Sequence, residues 1–128
     1  MKPRVPYKML SRANPPFSLS AENTALLLLD VQRFTTMRDQ GLGLLASEQG
    51  ILREFEEYYA QADAALRNMA SLLASCRHHG LRVIYSVLCA RESDRSDLSR
   101  QLRLSGLPVP AGAPREEIRP DVAPAPGD

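Results

Sequence analysis

Tryptophan is absent, and aromatic residues make up only 5% of the 128 positions. A surface that stacks successive bases needs aromatic rings, so that mode of nucleic-acid binding is excluded. A surplus of one charge is also lacking. Sixteen Lys and Arg face fifteen Asp and Glu, for a net charge of +1. No basic footprint for a phosphate backbone is left over, and no nucleic-acid partner is expected. No stretch approaches the roughly 20 apolar residues of a membrane span, so no membrane partner is expected. The opening "MKPRVPYKML" has basic residues but no apolar core after them, which argues against a signal peptide and for a cytoplasmic protein. Two cysteines, Cys76 and Cys89, are too few for a disulfide framework.

Apolar residues are plentiful at 44%, enough to build one domain of ordinary size. Residues 1–23, with Pro3, Pro6, Pro15 and Pro16, read as an N-terminal arm laid over a domain that starts at Thr24. The run Thr24 to Leu29 is continuously apolar, which suits a strand covered on both faces of a parallel sheet. Residues 35–50 carry Gly41, Gly43 and Gly50 and read as loop or short helical turns. A long helix is predicted from about Arg53 to His79. Its stripe runs through Phe55, Tyr58, Tyr59, Ala62, Ala65, Leu66, Met69, Leu72, Leu73 and Cys76 in steps of three and four. Gly80 stands where a glycine ends a helix, after His78 and His79 at the negative end of the dipole.

Arg82 to Leu88, within "LRVIYSVLCA", is β-branched and reads as a second buried strand. The order strand–helix–strand predicts an α/β fold with two adjacent parallel strands and a right-handed crossover. After it, Arg91, Arg95, Arg100 and Arg103 interleave with Glu92, Asp94 and Asp97, which reads as a solvated, salt-bridged face. Residues from about 106 to 128 hold six of the ten prolines and read as an extended surface tail with at most a helical turn near Glu116.

Asp30 ends the first apolar run. Ligands of open parallel sheets bind beyond the carboxyl ends of the strands, and a shielded carboxylate there can act as a base. Spacing alone leaves a plainer alternative open, in which Asp30 caps the following turn or helix. Cys89 closes the second strand and reads as a small apolar residue. Cys76 falls on the helix stripe. His78 and His79 project about 100° apart on a helix and do not share a metal site. No metal and no cofactor are expected.

"TALLLLDVQ" resembles the first strand of the isochorismatase-like cysteine hydrolases, an apolar run ending in Asp-x-Gln. "LRVIYSVLCAR" resembles the family's second strand. "DRSDLSRQLRLSGLPVPAGAPREEIRPDVAPAPGD" resembles the segment that follows in a carbamoyl-amide-hydrolysing branch, where Ser-Gly and a late Ala-Pro-x-Pro recur. The resemblance implies a Rossmann-like sheet of about six strands, a small-molecule substrate and an Asp–Lys–Cys triad. It makes Asp30 the catalytic Asp and places Gln32 beside the pocket to orient substrate or the Asp. The Cys attacks an amide or carbamoyl carbon, and the Lys stabilises charge. Both the family's Lys and its Cys fall beyond Asp128. The chain is therefore expected to be a truncated product or half of an assembly, inactive alone, with an open sheet edge that favours homo-oligomers. The alternative expectation is a non-catalytic binding or assembly module.

Overall fold

Two strands can lie parallel only if the chain crosses back between them, and the longest helix does so here. The structure is a computed structural model that describes residues 18–128; the proline-rich start of the arm lies outside the described residues. Strand β1 is Ala25–Leu29 and strand β2 is Arg82–Ser86. They pair in parallel, with Leu28 opposite Tyr85. Between them come helix α1, Arg33–Thr36, helix α2, Gly41–Glu48, a 3-10 turn, Leu52–Phe55, and helix α3, Glu56–His78. Helix α4, Arg100–Leu104, and a 3-10 turn, Pro120–Val122, follow β2. The fold mixes helices with a two-stranded parallel sheet.

α3 forms where the helical stripe predicts, with its first turn replaced by the 3-10 turn. Leu66 and Leu73 are buried and Met69 partly so. They pack on Leu28 and Val83 from the sheet. The helix ends as the glycine signal indicates. Gly80 has φ of +69°, its N–H donates to the Arg77 carbonyl, and the Leu81 N–H donates to the Cys76 carbonyl at 3.0 Å. That double bond pattern is the Schellman stop.

The structure departs from the sequence expectations in three places. The sheet is covered on one face only. Leu28 and Val83 are 5% and 3% exposed, but Leu27, Leu29 and Ile84 on the other face are 50%, 61% and 44% exposed. A continuous apolar run says that both faces want cover, not that both have it. The C-terminal segment is not only a surface tail. Ile118 and Val122 enter the core beneath the sheet, and Val109 joins Phe34, Ala90 and Leu98 in a second cluster. Near Glu116 the chain makes a turn, and the 3-10 helix comes later, at Pro120. Finally, the acids of residues 92–97 bond to main chain instead of arginines. Asp97 accepts from the N–H groups of Arg91 and Glu92 at 2.8 and 3.4 Å, and Asp94 accepts from the Ser96 N–H at 3.0 Å.

Ion pairs gather elsewhere. Arg119 lies 2.9 Å from Asp121 and 3.8 Å from Asp63, and Arg38 meets Asp63 at 2.9 Å. Arg119 also donates to the Thr36 carbonyl at 2.8 Å. This network fastens the late segment to α3 and to the turn after α1.

Candidate functional site

β1 runs out at Leu29, and the next residue turns the chain sharply. The Asp30 N–H donates to the Ser86 carbonyl at 2.9 Å, which extends the ladder by one bond. The Asp30 carbonyl then accepts from the Gln32 N–H at 2.8 Å, a tight three-residue turn. Asp30 has φ of +51°, a left-handed conformation that Asp tolerates better than most residues. Its side chain is exposed. The carboxylate makes no hydrogen bond or ion pair among the described residues, and the cap position of α1 belongs to Gln32, without a side-chain cap bond. The capping role left open by spacing is therefore not the one Asp30 fills.

Gln32 is fully buried, and both ends of its amide are engaged. Its Nε2 donates to the Leu88 carbonyl at 3.0 Å, and its Oε1 accepts from the Leu88 N–H at 2.5 Å. The side chain thus pairs with the backbone beyond β2 as another strand would. Its own backbone stretch pairs with the late segment. The Arg33 N–H donates to the Glu117 carbonyl at 2.7 Å, and the Arg119 N–H donates to the Val31 carbonyl at 3.0 Å. The structure brings Gln32 to Leu88 and Ile118, not to the Asp30 carboxylate.

Cys89 follows Leu88, at the same end of the sheet as Asp30. Its Sγ lies 3.4 Å from the carbonyl oxygens of Ala90 and Gly112. Burial pushes the thiol pKa up, and the charges of Glu117 and Asp97 push it further. A thiol so placed stays protonated and is a poor nucleophile. Cys76 is half-buried on α3. His78 and His79 stack edge to face, 5.1 Å between centroids. Among the described residues, no three His, Cys, Asp or Glu side chains gather closely enough to hold a metal ion.

Two hollows lie away from this end, around the start of the strands and beside β2. One of about 730 Å³ is lined by Asn23, Thr24, Arg77, Arg82 and Asp128. A second, of about 440 Å³, runs beside β2. Neither includes Asp30. Reasoning from sequence alone overlooks Arg77, Asp63 and Arg119, each of which holds several partners among the described residues. The signals present in the sequence were slight: Arg77 is a base in a helix's last turn, and Arg119 is one charge in a proline-rich stretch. No family model matches the chain, and no curated protein matches it.

Proposed function

We propose that this chain carries the acid-bearing half of an isochorismatase-like cysteine hydrolase, a cytoplasmic Rossmann-like domain that cleaves an amide or carbamoyl C–N bond of a small molecule. The observation that supports this most is Asp30. A carboxylate stands at the carboxyl end of a core strand, unbonded among the described residues and in a left-handed conformation, with no capping bond there that would explain it. In the complete site Asp30 takes the proton of a cysteine thiol. The thiolate adds to the carbonyl carbon while a lysine steadies the charge; the C–N bond breaks as the amine leaves with the proton Asp30 had taken, and water then cleaves the thioester to release the acid and restore the thiol. The described residues supply neither partner. They contain no lysine, and burial raises the Cys89 thiol pKa. The chain alone gives no turnover.

The exposed apolar face of Leu27, Leu29 and Ile84 favours a second reading, an assembly module without chemistry. The coding DNA beyond codon 128 separates the two. A frame that continues into a strand ending in Lys and a helix opening with Cys carries the hydrolase. In that longer protein, Asp30→Ala abolishes amide hydrolysis while leaving the fold intact. A frame without those elements leaves the assembly module, and full activity in Asp30→Ala removes Asp30 from the chemistry.

A further inference from the structure

Asp30 holds a conformation that a residue with a side chain keeps only under constraint. Its φ of +51° lies in the left-handed region, where the Cβ crowds the following carbonyl. The turn supplies two bonds of its own, from the Asp30 N–H to the Ser86 carbonyl and from the Gln32 N–H back to the Asp30 carbonyl. The second of these leaves the Val31–Gln32 peptide unit. A peptide unit is planar, so whatever grips its carbonyl also aims its N–H. The Val31 carbonyl is gripped by the Arg119 N–H at 3.0 Å.

Arg119 is itself fixed by its side chain. Nη1 donates to the Thr36 carbonyl at 2.8 Å, on the last residue of α1. Nε donates to Asp121 at 3.0 Å, and Nη2 lies 2.9 Å from Asp121 and 3.8 Å from Asp63 on α3. The side chain is 13% exposed, so water competes little for these bonds. A planar guanidinium can hold a carbonyl on one side and carboxylates on the other at once; a single ammonium cannot copy that fork. Arg119 therefore holds the stretch after Asp30 at both ends, Val31 and Thr36, and ties it to α3.

We propose that Arg119 is a positioning residue for Asp30: it clamps residues 31–36 and so holds the left-handed turn that presents the carboxylate, without touching the carboxylate. The assignment rests on the reading of Asp30 as the base. Val31 and Phe34 also anchor this stretch, through the two core clusters. Apolar packing is non-directional; it keeps those side chains buried but does not aim the peptide unit that closes the turn.

The test uses this chain as wild type, Arg119→Met and Arg119→Lys, followed by nuclear magnetic resonance. The three-bond coupling between the amide and α protons of Asp30 reports its φ, and hydrogen exchange at Gln32 reports the closing bond. In Arg119→Met the Gln32 N–H should exchange at least tenfold faster and the Asp30 coupling should leave its wild-type value, with protection along α3 unchanged. Arg119→Lys keeps the charge but not the fork, and should fall between the two. Should α3 lose protection in Arg119→Met, Arg119→Lys is read by the same criteria. A merely structural Arg119 would free Ile118 and Val122 and leave the turn alone. Faster exchange at those two residues, with the Asp30 coupling and Gln32 exchange at their wild-type values, would overturn the proposal, as would no change at any of them. Failure of the base reading shows on a different observable, as turnover in Asp30→Ala, so the two failures are told apart.

Discussion

Gln32 shows how one side chain can act as main chain. It closes the gap between the end of β1 and the backbone at Leu88 with two hydrogen bonds. Replacing it with leucine keeps the bulk but strands a buried N–H and a buried carbonyl. Each such orphan costs about 1–3 kcal/mol. Gln32→Leu should therefore lower stability by roughly 2–4 kcal/mol in urea unfolding, and a loss under about 0.5 kcal/mol would mean water replaces the amide without penalty. Cys89 makes a prediction of opposite kind, about reactivity. Its folded pKa is raised, so the neutral thiol is the favoured form. At neutral pH the thiolate fraction is smaller than in an ordinary cysteine, and alkylation should be slow. In a Cys76→Ala background, the rate should reach half its maximum at a higher pH in the folded protein than in urea. The stability contributed by this burial is full below the unfolded pKa and is lost as pH rises through the folded one. A folded thiol that reacts as fast as the unfolded one at pH 7 would remove Cys89 from its structural place and reopen it as a nucleophile. Asp30 and Gln32 both stood out in the sequence, but only their types were legible there. That one would be free and the other consumed by Leu88 depends on a backbone 56 residues away.

At the scale of elements, α3 is the piece the sequence describes best, because a period of 3.6 sustained over six turns has no rival explanation. Leu66 lies on its buried line against Leu28 and Val83. Leu66→Ala should cost about 2–5 kcal/mol by thermal or urea unfolding, and a value under about 0.5 kcal/mol would place that face in solvent. α2 teaches the reverse lesson. Its glycines left loop and short helical turns both open, and Gly43 proves helical and buried. A Cβ there would stand 2.3 Å from the Arg38 carbonyl. The glycine is a close-approach residue, and Gly43→Ala should destabilise by about 1–3 kcal/mol although alanine is the better helix former. Equal or greater stability in the alanine variant would show that the turn at Arg38 yields freely. The late segment was the least legible element. Val109, Ile118 and Val122 are single apolar residues set among prolines, with no period to mark them as core. The Arg119 pair with Asp63 and the bridge from Ile118 to Gln32 that hold the segment in place are both long-range contacts.

Across the whole molecule, the balance of charge and the apolar content were legible, and so was the parallel strand pair. The one-sided cover was not, since a strand's sequence states a demand for burial and the rest of the chain decides the supply. That shortfall drives the last prediction. Leu27, Leu29 and Ile84 expose an apolar surface next to the outer edge of β1, which pairs with no strand among the described residues. An open edge beside an apolar face is a standing invitation to a second chain. The protein should therefore sediment above the monomer mass at moderate concentration, with the excess carried by β1. A charge placed on the open face blunts such an edge in two ways. It resists desolvation in the contact, and it repels its symmetry mate across a β1–β1 pair. Leu27 and Leu29 are half-exposed or more, so changing them to lysine should cost no more than about 0.5 kcal/mol each in stability. The double variant Leu27→Lys/Leu29→Lys should sediment as a monomer at concentrations where the wild type associates, with the same far-ultraviolet circular dichroism. If the lysine variant associates as strongly as the wild type, β1 is not the contact, and some other surface must carry the association.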